Sequence, residues 1–210
     1  MPVSMRLVAP LILLTTIASV PAAAQPARPP ATTTVTRSGP ATGWNKLCSA
    51  AGPTQACAIS QEMFSEQGQF IASASFQYAP GGGRRRLIVN VPLGMWIEDG
   101  IQIRVDQGQV TRTHFGTCMT NGCFGAIDVN DALLNQMRRG RILQIIVRPP
   151  DPQVFQINIP LEAFGTAYDG APAEPAAVQT RISAFYADMQ QRAASTSRPQ
   201  QPPATPAPRQ

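Results

Sequence analysis

The sequence predicts a mostly β domain, an antiparallel sandwich or barrel, framed by two arms outside the fold. Three observations lead there. Short apolar runs alternate with polar residues at a period of two. Turn-forming residues punctuate them about every ten positions, and the stretches on either side hold almost no large apolar residue.

The strands come first. Ile101-Gln102-Ile103-Arg104-Val105-Asp106 alternates cleanly, with Ile101, Ile103 and Val105 on one face. Phe155-Gln156-Ile157-Asn158-Ile159 does the same and stops at Pro160. Phe70, Ala72, Ala74 and Phe76 alternate against Ile71, Ser73 and Ser75. Leu87 to Val91 is a short apolar run behind Gly81-Gly82-Gly83, and Arg141 to Arg148 reads as a run buried on both faces or nearly so. Glu98-Asp99-Gly100, Asp106-Gln107-Gly108 and Asn121-Gly122 mark turns.

Two helices are expected. Asp128 or Asn130 can cap the first, Leu133, Leu134 and Met137 form its apolar stripe, and Arg138-Arg139 fill its last turn. Gly140 follows at the position where a left-handed residue commonly closes a helix. The second runs near Pro175 to Ala194, with Val178, Ile182, Phe185 and Met189 at helical spacing. Its apolar stripe is expected to dock on the domain, with service to a partner as the other reading.

The N-terminus reads as a secretory signal peptide. Arg6 and the α-amino group give a weakly positive start, Leu7 to Val20 is apolar, and Ala22-Ala23-Ala24 supplies small residues before Gln25. Cleavage is expected after Ala24. Fourteen apolar residues span about 21 Å as a helix, short of the ~30 Å hydrocarbon core, so an anchor is the weaker reading. No later stretch approaches a membrane span, and a periplasmic or secreted protein is expected. Residues 25–43 read as a Pro/Thr-rich flexible linker, 44–170 as the β domain, 171–194 as the helical segment and 195–210 as a disordered Pro/Gln-rich tail.

Arg6 is the one basic residue in 1–24, so 16 of 17 remain against 12 acidic residues, a net charge near +4. Aromatics are few and the arginines are spread along the chain, which argues against nucleic-acid binding.

Cys48 and Cys57 are separated by eight residues, Cys118 and Cys123 by four. Three pairings are open. Local pairing is favoured because Gly52-Pro53 and Asn121-Gly122 lie inside the two loops, each worth roughly 2–3 kcal/mol on the chain-entropy estimate. A four-cysteine zinc site fits poorly, since its short paired spacings are missing and an oxidising compartment disfavours free thiolates. A redox pair is weaker still without Cys-x-x-Cys.

In order along the chain, the distinctive residues are Trp44 with Cys48 and Cys57, Val91-Pro92-Leu93-Gly94-Met95-Trp96, Gly100 to Asp106, Cys118-Met119-Thr120-Asn121-Gly122-Cys123, and Ile159 to Ala167. This pattern resembles the invasion associated locus B family of bacterial, mainly alphaproteobacterial, extracytoplasmic proteins. It covers about Trp44 to Tyr168. The chain departs at its end, where Leu161-Glu162-Ala163-Phe164-Gly165 replaces the family's Ser-Leu-x-Gly-Phe. The resemblance implies an immunoglobulin-like antiparallel β-sandwich, here with one short inserted helix and a C-terminal helix. It carries over no catalytic residue. The family's founding members are linked to host-cell invasion.

Candidate reactive groups are sparse. His114 is the one histidine, and no Gly-x-Ser-x-Gly elbow accompanies it. Glu98-Asp99 are adjacent in a turn, where two carboxylates face solvent rather than each other across a cleft. Gly81-Gly82-Gly83 lacks the Lys-Ser/Thr step of a phosphate loop and reads as a hairpin turn. Arg84-Arg85-Arg86 is the most functional-looking feature, suited to an anionic lipid, a glycan or an acidic partner; the plainer reading is a solvated loop flank.

The expected function is that of an exported, non-enzymatic binding protein, with a protein or envelope component as its partner and a role in host-cell interaction or invasion. The alternative is a periplasmic envelope-maintenance or structural accessory protein with no part in invasion. No cofactor and no metal are expected.

Overall fold

In the computed structural model, residues 33–49, 52 and 55–196 are described. The signal-peptide reading, the first part of the linker (25–32) and nearly all of the tail lie outside them. Along the chain run β1 (Thr33–Arg37), β2 (Asn45–Cys48), β3 (Cys57–Phe64), β4 (Phe70–Tyr78), β5 (Arg86–Val91), β6 (Ile101–Val105), β7 (Thr111–Thr113), β8 (Phe115–Met119) and β9 (Gly122–Asp128). Then come α1 (Asp131–Arg139), β10 (Ile142–Val147), β11 (Gln153–Pro160), α2 (Phe164–Asp169) and α3 (Pro175–Thr196).

The strands build a β-sandwich. One sheet has the order β1-β11-β10-β6-β7 and the other β2-β3-β4-β5-β9-β8. Alternation places Ile59, Ala74, Phe76, Leu87 and Val89 on the inner face of the six-stranded sheet, against Ile101, Ile103, Leu143, Ile145 and Ile157 of the five-stranded one. Both sides of this interface are at most 1% exposed, so its apolar burial dominates the stability of the domain.

β1 is a correction to the linker reading of 25–43. Thr33 to Thr36 are β-branched and add in parallel to the edge of the sheet, Thr33 opposite Gln153 and Arg37 opposite Ile157. The strand buries little and so carries no hydrophobic signature; the Arg37 guanidinium sits 3.9 Å over the Phe155 ring.

Helix α1 follows its expected stripe, with Leu134 and Met137 buried. Asn130 is the cap, its side chain accepting from the Leu133 N–H at 2.9 Å. Gly140 differs from expectation: it is extended (φ −74°), not left-handed. Its need is for space, since a Cβ there would lie 2.6 Å from the Gln136 carbonyl oxygen and collide with Val105.

The chain's departure from the family ending forms α2, a short helix entered through Ala163 in the left-handed region (φ +64°). It drives Phe164 wholly inside, 5.0 Å edge-on from Trp44 and 5.8 Å from Phe76. Trp44 also donates its indole N–H to the Pro160 carbonyl at 2.9 Å, and the buried Gln61 donates to the same oxygen at 3.1 Å. One carbonyl thus satisfies two core polar groups that would otherwise be costly to bury.

Helix α3 docks on the outer face of the six-stranded sheet. Val178 and Met189 are buried, Phe185 and Tyr186 each pack 5.4 Å from Phe64, and the Tyr186 hydroxyl donates to Glu62 at 2.8 Å. Among the described residues no helix is long and apolar enough to cross a membrane.

Candidate functional site

The two disulfides form between the local partners. Cys48 pairs with Cys57 and Cys118 with Cys123, each with Cα atoms 4.0 Å apart. In each pair the cysteines are directly opposed in neighbouring antiparallel strands. β2 and β8 are the two edges of the six-stranded sheet. Each edge is therefore covalently stapled to the strand inside it, where an edge is otherwise the first part of a sheet to open. All four sulfurs are held in these two disulfides. Among the described residues no group of three His, Cys, Asp or Glu is placed to hold a metal ion.

The arginines lie where β5 begins. The turn from β4 uses Gly82 (φ +100°) and Gly83 (φ +114°), a backbone that other residues reach only with strain, and delivers Arg84 to Arg86 at one end of the sheet. Arg86 stands opposite Asp128 in the β5–β9 register. Arg84 grips the same Asp128 with two bonds, Nε to Oδ1 at 2.7 Å and Nη2 to Oδ2 at 2.9 Å. Arg85 reaches Asp131 in the first turn of α1 at 2.7 Å. Two of the three guanidiniums are thus paired to carboxylates, and among the described residues Arg86 has no ion pair. Hydrogen bonding from Arg84 holds the Asp128 carboxyl below its ordinary value; partial desolvation opposes this, and the charges of Arg84 and Arg86 reinforce it.

Beside these arginines is a groove of about 690 Å³. Leu47, Ala58, Tyr78 and Pro175 give it an apolar lining, the Cys48–Cys57 disulfide lies along it, and Arg84 and Arg86 stand on its rim. Lys46, the sole lysine, secures the neighbouring chain, donating to the carbonyls of Tyr168 (2.9 Å) and Gly170 (2.7 Å). A largely apolar trough with a guanidinium that makes no ion pair among the described residues suits the acidic head of a partly apolar ligand.

The other flagged residues are scattered. His114 is exposed between β7 and β8. Asp99 pairs with Arg148 at 3.0 Å, while Glu98 is exposed. The sequence points to the arginines as a site, but offers Asp128 only as a helix cap, Pro175 only as a helix start, and Leu47 and Tyr78 not at all. Their convergence depends on strand register, which no local pattern signals.

A two-sheet sandwich with both edges of one sheet stapled by local disulfides, and a groove at one end, is a β-sandwich of the small disulfide-bonded kind. More narrowly, the chain belongs to the invasion associated locus B family, whose model, described as Invasion associated locus B (IalB) protein, matches residues 44–172. Two relatives from Brucella abortus, each called an invasion protein B homolog, are 25% identical over 130 residues, covering 60% of this chain and 73% of theirs. The crystal structure of invasion associated protein B from Bartonella henselae superposes with a TM-score of 0.54 at 20% identity, covering 60% of this chain and 88% of that one; it shows the shared fold.

Proposed function

We propose that this protein is exported through its N-terminal signal and acts outside the cytoplasm as a non-enzymatic binding module, contacting an anionic partner through the Arg86 groove in host-cell interaction. The carrying observation is the groove itself: about 690 Å³, lined in large part by apolar Leu47, Ala58, Tyr78 and Pro175, with Arg86 in its wall making no ion pair among the described residues. Two disulfides favour an oxidising compartment, and the relatives' description as invasion proteins supports the host-facing role.

The test measures binding of the purified protein to phosphatidylglycerol vesicles and, separately, to a sulfated glycan, over a salt series. Binding to one of them that weakens with salt and falls roughly tenfold in Arg86→Ala supports the reading, and names lipid or glycan as the source of the anion. Equal binding by wild type and Arg86→Ala, or none to either probe, rejects it.

A further inference from the structure

One row of paired residues crosses the outer face of the six-stranded sheet. Leu47 stands opposite Ala58, Ala58 opposite Gln77, and Gln77 opposite Arg86. With strands about 4.8 Å apart, Ala58 lies about 10 Å from the Arg86 backbone. The Leu47–Ala58 pair lines the Arg86 groove on one side and a second cavity, of about 260 Å³, on the other.

This second cavity lies between β2–β3 and α3. The helix seats on the buried Val178 and Met189, with Ile182 partly buried between them. Beneath it the sheet offers Ala58 and Ser60, whose short side chains leave the space under Ile182 unfilled. Two polar contacts hold the helix over the gap. Arg181 donates to Asn45 Oδ1 at 2.6 Å, and the Tyr186 hydroxyl donates to Glu62 at 2.8 Å.

Each polar side chain of the lining has a partner within the protein. Ser60 is bonded to Ser75 at 2.9 Å, and the Thr42 hydroxyl accepts from the Glu62 N–H at 2.9 Å. Asn45, Glu62 and Tyr186 are tied as above. The surface left without a polar partner is that of Leu47, Ala58, Val178 and Ile182, so the space suits an alkyl chain better than water. Leu47 is 37% exposed, and a rotamer change there joins the cavity to the groove.

We propose that the groove and this cavity together take a single-chain amphiphile, its acidic head on Arg86 and its alkyl tail passing over the Leu47–Ala58 pair to lie beneath α3. The head rests on the reading of the Arg86 groove given above; the tail is the addition. From Ala58 to Glu62 the strand runs about 13 Å, which gives the tail its length. The charges fix its direction: Arg86 draws an anion at one end, while the Glu62 carboxylate at the other repels one. A sulfated glycan, polar throughout, has no use for the cavity.

The test titrates the purified protein with ethyl, hexyl and dodecyl phosphate, each below its micelle concentration, by calorimetry. Each buried methylene is worth roughly fourfold, so dodecyl phosphate should bind at least about a hundredfold tighter than ethyl phosphate. On a methyl-labelled sample its chain should show Overhauser contacts to the Ile182, Val178 and Leu47 methyls. Arg86→Ala should weaken dodecyl phosphate roughly tenfold and leave these contacts in place. Ile182→Trp, which fills the cavity from the helix side, should bring dodecyl phosphate close to the affinity of ethyl phosphate, with the Phe64–Phe185 ring contact retained as the sign that α3 stays docked. Where that ring contact is lost, the Overhauser contacts of the wild type decide. Equal affinity for the three phosphates, or a chain whose contacts bypass Ile182 and Val178, overturns the proposal and leaves the Arg86 reading standing. Dodecyl phosphate binding that Arg86→Ala leaves unchanged sinks both.

Discussion

Arg84 and Asp128 face each other across the β5–β9 end of the six-stranded sheet in a two-bond pair of 2.7 and 2.9 Å. The pair decides how the run of three arginines behaves, since the aspartate that binds Arg84 also stands opposite Arg86. Replacing Asp128→Asn removes a negative charge from the groove rim and releases Arg84. Affinity for an anionic probe should then rise, with a steeper salt dependence, read by titration calorimetry at several salt concentrations.

The same pair sets a pH dependence at the acid end. The Asp128 carboxyl is held below its ordinary value in the fold, so its contribution is complete above the unfolded value and is lost as pH falls through the lower folded one. Denaturation midpoints of wild type and Asp128→Asn should converge as the pH drops through that window. Midpoints that stay parallel would show the pair adds nothing.

At the alkaline end the reporter is Tyr186. Burial, then its hydrogen bond to Glu62 and the carboxylate's charge, push the phenol up to about 12. A raised value means the contribution is intact below the ordinary tyrosine range near 10 and is lost as pH rises toward 12. Phenolate absorbance should show one of the three tyrosines titrating late, and Tyr186→Phe should remove that step. The same variant should loosen α3, seen as faster amide exchange near Val178 and Met189.

The staples can be removed one at a time. Cys118→Ser/Cys123→Ser and Cys48→Ser/Cys57→Ser should each cost about 2–3 kcal/mol in urea denaturation. The 48–57 pair should also weaken ligand binding, because that disulfide lies along the groove; the 118–123 pair should not.

Gly122 has φ +133°, and a Cβ there would sit 2.5 Å from the Val91 carbonyl oxygen and against the Asn90 side chain. Gly122→Ala should destabilise by more than about 2 kcal/mol, since backbone cannot step aside. Thermal unfolding with both disulfides intact checks this.

The legible parts of the fold were those where alternation is uninterrupted. Ile101, Ile103 and Val105 announce β6, and Val178 to Met189 announce the docked face of α3. β3 is hidden because Gln61 occupies a core position, which is tolerated only through its bond to Pro160. Gly122 and Gly125 break the pattern of β9; the second is required where Ile101 approaches to 2.5 Å of a would-be Cβ. For the site, three arginines in a row were visible. Their carboxylate partners were not, since Asp128 comes within reach of Arg84 only through the β5–β9 register.

The most direct test is a residue-resolved titration of the isotopically labelled protein with short-chain phosphatidylglycerol and with a sulfated disaccharide, followed by amide and arginine side-chain NMR. The expected result is a saturable shift centred on Arg86, Arg84 and Tyr78 with at least one probe, weakened by salt and lost in Arg86→Ala. Shifts that bypass Arg86, or that survive its removal, would contradict the assignment of the groove as the binding site.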